Sequence, residues 1–271
     1  LKCTFCSSTH FLNECASDKI PFRGLDAQSI IAMMRSAINA HPDTEAFYFN
    51  DDNFLLSKQR VQQFISAMDD FEHNPSLMSM GRVDDVEPEM LRDLRHIGFR
   101  KLLYGVESFS NRLIHKMKGR ATKDYHTQAY NAIVDTMHAG IDAQFSLLLF
   151  APASKVSDLT TTIDATVDLM QQGARATVFP FVEAYAGARI TQMHQVKNKH
   201  ITIQNNQFTI PDIVIPDDQE IYQVAQIATH RIPKAPQPVQ VLTLFERIYH
   251  LLGLRADHIE HTRQHISHQA A

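Results

Sequence analysis

The 271-residue chain has no tryptophan, only 9 glycines, only 3 cysteines, and no run of eighteen apolar residues. The missing apolar run excludes a membrane-spanning helix. Scarce glycine leaves neither GxxxxGK[ST] nor GxGxxG in the chain, which sets aside phosphate binding by a P-loop or a Rossmann turn. Basic residues are outnumbered, 26 Lys and Arg against 30 Asp and Glu, so no basic stripe for nucleic acid is signalled. The cysteines, Cys3, Cys6 and Cys15, are odd in number and crowded, a poor disulfide framework. With no secretory signal ahead of them, they favour a metal or cluster site in a reducing, cytoplasmic compartment. The chain begins at Leu1 rather than Met, so a fragment or processed product is expected. What remains is a globular average, 44% hydrophobic and 21% charged, enough for one large domain or two small ones.

Apolar runs and helical patterns alternate from residue 26 to about 182. Residues 26–40 predict a helix opened by Asp26, 45–51 an aromatic strand ending in acids, and 57–72 a helix capped by Ser57. Strand 76–82 precedes a helix over 87–97 with Pro88 in its first turn. Strand 100–107 leads into a short helix, 109–117, and a longer helix, 123–139, stops at Gly140. Strand 143–150, a helix over 156–172 ended by Gly173, and strand 175–182 complete the series. Pro180 places that last strand at an edge, or its close nearby. Such alternation means a parallel sheet wrapped by helices, with chemistry at the C-terminal strand ends. After residue 185 the rhythm breaks. A hairpin over 200–210 turning at Asn205–Asn206, a helix over 216–232, a proline-rich break and a helical stretch over 239–266 interrupted at Gly253 follow.

The strongest chemical signal is CTFC at 3–6. A C-x-x-C turn brings two thiolates to one metal centre, and thiolates suit iron–sulfur clusters and zinc. Cys3, Cys6, His10 and Cys15 also allow a zinc-knuckle reading, a nucleic-acid- or protein-binding module. Two incidental thiols are the bland alternative. A redox C-x-x-C is weaker, because no strand precedes the motif. Acids and an arginine fall at the predicted strand ends: Asp51, Asp52 and Asn53, then Arg82, then Glu107 and Ser108. Taken singly, each reads as a helix cap or surface charge. Their convergence with the cysteine loop on one rim suits a polar, zwitterionic ligand beside a cluster.

CTFC, then FYFNDDNF, RVD, GVESFSNRLIHKMKG and a strand ending FAP together resemble the radical S-adenosylmethionine enzymes, closest to the branch that carries an upstream cobalamin-binding domain. The likeness covers residues 1–183. Cys3 and Cys6 match the last two cysteines of the family's C-x3-C-x2-C, and Phe5 its aromatic. The first cysteine would then fall two residues before Leu1, so the chain is expected to be cut inside the motif. The resemblance implies a parallel (β/α) partial TIM-type barrel lacking its first strand, over 1–183, with a mixed α/β C-terminal extension over 184–271. It implies a [4Fe–4S] cluster on three cysteines and S-adenosylmethionine bound to the open iron, cleaved reductively to a 5′-deoxyadenosyl radical. It further implies cobalamin through an upstream domain, a small-molecule substrate, and an electron donor such as a flavodoxin or ferredoxin. By family position Asp51 and Asp52 meet the methionine amino group, Arg82 the carboxylate or substrate, Glu107 and Ser108 the ribose or methionine, and Leu149 the adenine.

One departure stands out. Where the family strand often ends GxPGE, this chain has Phe150, Ala151, Pro152, Ala153 and Ser154. Lys118–Gly119 matches the family's Lys-Gly, although a basic helix end with a glycine cap reads the same way. The stripe His258, His261, His265 and His268 has metal-like spacing but reads as a polar face of a terminal helix, and the methionines read as core filler. Cys15 reads as a free thiol.

Overall fold

The computed structural model describes residues 3–8, 24–118, 121–203, 206–230, 232 and 237–269. The expected alternation is present. Helix α1 (Ala27–Ala40) starts where the Asp26 carboxylate accepts the Ser29 N–H at 2.7 Å. Strand β1 (Ala46–Phe49) follows, then α2 (Lys58–Met68), whose cap Ser57 accepts the Arg60 N–H. Strand β2 (Ser76–Gly81) leads to α3 (Pro88–His96), opened by Pro88. Strand β3 (Phe99–Glu107) leads to the short α4 (Asn111–Met117), and α5 (Tyr125–His138) closes at Gly140, φ 77°. Strand β4 (Asp142–Phe150), α6 (Val156–Gln171) closed by Gly173 at φ 105°, and β5 (Arg175–Glu183) complete five parallel strands in sequential order.

These strands form a curled half-barrel. Their outer face is apolar and packs under the helices. Leu77, Phe99, Leu102, Tyr104, Phe145, Leu147 and Val178 are at most 1% exposed, each such large apolar side chain contributing roughly 1.5–3 kcal/mol.

Beyond β5 the sheet continues. After the one-turn α7 (Ile190–Met193), β6 (Val196–Ile203) and β7 (Asn206–Val214) form an antiparallel hairpin. It is longer than the expected 200–210, and its pairing closes at Ile203 with Asn206. It joins β5 through two residues, Val182 opposite Val214 and Glu183 opposite Ile213. Pro180 thus stands on a β5 edge that is free until the hairpin arrives. Helices α8 (Gln219–Ala228), α9 (Pro238–Leu251) and α10 (Asp257–Gln269) finish the chain, with Gly253 at φ 68° between the last two. Ile221, Val241, Phe245 and Ile259 belong to the same buried cluster as the barrel strands. No helix among the described residues is long and apolar enough to cross a membrane.

A second, smaller cluster lies at the C-terminal strand ends. Leu113 and Met117 of α4, Ala151, Val182, Ala188, Ile190 and Val214 form it, and Phe5 and Leu148 pack against it. The segment after β5 therefore builds a wall beside the cysteine loop.

Candidate active site

The cysteine loop has no helix or strand of its own over residues 3–7, so other elements must hold it. The Thr4 N–H donates to the Met117 carbonyl at 2.8 Å, and the Thr4 hydroxyl reaches the same oxygen at 3.3 Å. The Thr4 carbonyl accepts the Ile190 N–H at 2.8 Å. With Phe5 seated on the small cluster, the loop is fixed between the end of α4 and the start of α7. Cys3 and Cys6 are left half-buried and free. Among the described residues no group of three or more His, Cys, Asp and Glu side chains is placed to hold a metal. His10 and Cys15, needed for the zinc-knuckle reading, lie outside the described residues.

The end of β2 brings Arg82 to this loop. One guanidinium nitrogen lies 3.8 Å from the Cys3 sulfur, and another pairs with Asp84. Burial alone would push the guanidinium pKa down; Asp84 and Cys3 outweigh it and hold the group charged. Asn53, buried after β1, braces the strand end. Its Oδ1 accepts the Arg82 N–H at 3.1 Å and its Nδ2 donates to Asp85 at 2.7 Å. Asp84 uses one oxygen on Arg82. Its other oxygen is buried and has no hydrogen-bond partner among the described residues, a costly state for a carboxylate.

Glu107 ends β3 in a strained conformation. Its φ is 70°, the one positive value among the described non-glycine residues, and the β3–β4 register shifts between Gly105 and Glu107. The bulge turns the side chain back over its own strand. A Cβ on Gly105 would lie 2.7 Å from Glu107 Oε1, so a side chain there would push the carboxylate aside. Glu107 is 9% exposed, and no hydrogen bond to its carboxylate is formed by the described residues. Its counter-charge is Lys118, 3.8 Å away and 4% exposed. The ammonium donates to the Gly105 carbonyl and, at 2.8 Å, to the Tyr125 hydroxyl. That hydroxyl donates to the Val106 carbonyl at 3.1 Å. Burial pushes the Glu107 pKa up and the Lys118 pKa down, and each charge pulls the other back.

The sequence-predicted residues divide. Cys3, Arg82 and Glu107 come together through the Arg82 contact with the Cys3 sulfur and its charge interaction with Glu107, and Phe5 and Cys6 share the Cys3 loop. Asp51 is engaged elsewhere, 3.1 Å from Arg60 and capping the Asn53 N–H at 3.4 Å. Asp52 is exposed. Ser108 is buried with its hydroxyl committed to Thr162 at 2.8 Å. Leu149 packs in the helix-side core, and its neighbour Leu148 is the residue on the Phe5 side. Asp84 was not singled out for the site, although RVD carries it, and Asn53 was read only as part of the strand end with Asp51 and Asp52. Lys118 gave the single signal of KG after a short helix.

No known protein family's sequence profile matches the chain, and no curated protein matches it. Solved structures do. The cobalamin-dependent S-adenosylmethionine radical enzyme OxsB, with aqua-cobalamin and S-adenosylmethionine bound, matches with TM-score 0.66 at 13% identity, over 97% of this chain and 44% of its own. The radical S-adenosylmethionine methyltransferase TsrM from Kitasatospora setae, with its tryptophan substrate and an aza analogue, matches at 0.61 and 14%, over 90% of this chain and 57% of its own. Coproporphyrinogen III oxidase (HemN) from Escherichia coli, a radical SAM enzyme, matches at 0.52 and 14%, over 93% and 50%. The chain thus spans 44% to 57% of the length of these proteins. At such identities the likeness is one of fold, and the fold of this chain is the partial barrel of the radical S-adenosylmethionine enzymes.

Proposed function

We propose that the chain is the barrel of a radical S-adenosylmethionine enzyme acting on a small molecule in the cytoplasm. The observation that carries this is the convergence of two free thiols, Cys3 and Cys6, with Arg82, Asp84 and Glu107 at the C-terminal ends of parallel strands. The donor set fits the group. Two half-buried thiols three residues apart, backed by a guanidinium, suit a thiolate-ligated iron cluster better than a hard-cation site. Cys3 and Cys6 would hold two of the irons. When bound, the [4Fe–4S] cluster supplies the electron that cleaves the sulfonium of S-adenosylmethionine.

The chain's own residues would do the rest. Glu107 would accept hydrogen bonds from a ligand hydroxyl or ammonium, satisfying a carboxylate that lacks donors. The orphaned Asp84 oxygen would accept another. Arg82 would stand between the Cys3 sulfur and the ligand carboxylate. Leu148 and Phe5 would exclude water from the reacting side. Asp51 and Asp52 would remain at the outer rim, close to the ligand amino group only after movement. Cobalamin dependence is part of the reading, supported by cobalamin-dependent proteins with this fold; a flavodoxin or ferredoxin would deliver the electron.

The test is anaerobic reconstitution of the full-length protein with iron and sulfide. A brown protein that binds S-adenosylmethionine, and on reduction consumes it, supports the reading. A colourless protein with stoichiometric zinc would overturn it.

A further inference from the structure

Lys118 is 4% exposed, and its ammonium is enclosed by β3 and α5. Its three directions are the Gly105 carbonyl, the Tyr125 hydroxyl and ring, the latter 5.1 Å from the nitrogen, and the Glu107 carboxylate at 3.8 Å. The first two are neutral acceptors that a water or a glutamine could serve as well. The third pairs the ammonium with an opposite full charge, and the Tyr125 ring adds a weaker cation–π attraction. Glu107 in turn sits at φ 70°, its Oε1 close over Gly105, with no hydrogen bond from the described residues. A strained, under-bonded acid with a buried counter-ion is expensive to fold, and such cost persists at sites that use it.

We propose that Lys118 is a positioning residue: pinned by the Gly105 carbonyl and the Tyr125 hydroxyl, its ammonium holds the Glu107 carboxylate, as an acceptor, in place for a ligand hydroxyl or ammonium. This rests on the reading of the rim as a ligand site and assigns the residue that keeps it ready. Besides Lys118, the charged and titratable groups that interact with Glu107 are Arg82 from the end of β2 and Tyr125 from α5, while Asp84 and Cys3 act on Lys118 and Tyr125. Arg82 is already paired with Asp84 and close to Cys3. Lys118 is therefore the counter-charge that Glu107 depends on. Without it, burial favours the protonated acid, which is a poorer acceptor.

Lys118→Gln separates charge from hydrogen bonding, since an amide can still serve the Gly105 carbonyl and the Tyr125 hydroxyl. Carboxyl-carbon NMR of the metal-free chain, with the Glu107 resonance assigned by its loss in Glu107→Gln, should show Glu107 titrating at higher pH in Lys118→Gln than in the unchanged chain. Lys118→Arg should restore the unchanged behaviour. In the reconstituted protein, S-adenosylmethionine affinity of Lys118→Gln should fall about tenfold at neutral pH, the loss of one charge-assisted bond. It should recover as pH rises.

A Glu107 titration identical in Lys118→Gln and the unchanged chain overturns the proposal. So does an affinity loss equal at every pH, which would make Lys118 a packing residue. If Lys118→Gln fails to fold, the same titration in Lys118→Met decides by the same criterion. If Glu107 shifts as expected but neither protein binds S-adenosylmethionine, the Lys118–Glu107 assignment stands and the proposed function falls.

Discussion

Two buried carboxylates lie near the ends of β3 and β4, and they are held in opposite ways. Asp158 is 3% exposed and fully served. It pairs with Arg112, accepts the Ser110 hydroxyl, and accepts the Lys155 N–H at 2.8 Å. Burial pushes its pKa up, but the bonds from Arg112, Ser110 and Lys155 outweigh burial and hold it below the usual carboxylate range. Arg112 also donates to the Ala153 carbonyl at 2.7 Å, so this cluster latches α4 to the loop after β4. Glu107 is also buried, at 9% exposed, has a counter-ion at 3.8 Å and no hydrogen bond from the described residues, and its pKa is raised. Burial does not distinguish structure from function here. The supply of donors does. An acid with its donors in place holds the fold; an acid without them is left for something that arrives later.

The largest effect should come from breaking the served acid. Arg112→Met leaves Asp158 buried without its cation and should cost about 3 kcal/mol of stability, measured by denaturant unfolding. The pH dependence follows from the sign of the shift. A carboxyl with a lowered folded pKa contributes stability above its unfolded value, near 3.9, and that contribution disappears as pH falls through the folded value. The unchanged chain should therefore lose the latch only in strong acid. Arg112→Met should flatten that part of the profile. A variant as stable as the parent would mean that the latch contributes nothing and that donor count is a poor guide.

Next in size is the under-served acid. Glu107→Gln and Asp84→Asn should each lower S-adenosylmethionine affinity by roughly ten- to a hundredfold, 1.5–3 kcal/mol for a charge-assisted hydrogen bond. Neither should change the amount of cluster that the protein holds. Calorimetric titration of the reconstituted variants checks this. In the paired variant Glu107→Gln with Lys118→Met, both ions are gone, and stability should be unchanged or higher, as for other buried ion pairs replaced together. A paired variant much less stable than the parent would make Glu107 an acid of the Asp158 kind.

Much of this frame was legible in the sequence, and the reasons are local. Asp26 and Ser57 cap helices through their own side chains. Gly140, Gly173 and Gly253 each take the positive φ that ends a helix. These signals involve neighbours in sequence, so they survive without knowledge of the fold. The site residues that were missed depend on distant partners. Lys118 reads as a basic helix end until the Gly105–Glu107 bulge places an acid against it. No pattern announces a glutamate at φ 70°. Leu148 and Leu149 could not be told apart, because SLLLF offers no alternation between faces. The hairpin's attachment to β5 rests on two residue pairs, too few to leave a pattern.

Between the two acids stands Asn53, a smaller and mixed case. It is buried, and its amide satisfies the Arg82 N–H and Asp85. Asn53→Ala should cost about 1–2 kcal/mol of stability by leaving the Arg82 N–H without an acceptor. Because Arg82 carries the contact to Cys3, the same variant should also weaken S-adenosylmethionine binding, by less than Glu107→Gln does. Stability loss without any change in affinity would detach the β1 end from the site.

The smallest effect is expected at the outer acids, and it sharpens the comparison most. Asp51 faces Arg60 at 3.1 Å, and that guanidinium also lies 5.4 Å from the Phe54 ring centroid and donates to the Leu25 carbonyl at 3.1 Å. Arg60 therefore keeps two partners when Asp51 is removed. Partly exposed pairs of this kind are worth roughly 0.2–1 kcal/mol. Asp52 is exposed, and a substitution there should fall within about 0.5 kcal/mol. Asp51→Ala and Asp52→Ala should thus change S-adenosylmethionine affinity less than about fivefold, the factor that 1 kcal/mol sets. Their position at the end of a parallel strand argues the other way, since ligands gather there. The two arguments give different numbers for one titration. An affinity loss of tenfold or more in either variant would mean that strand-end position outranks the donor count, and that the β1 end closes onto the ligand when it binds.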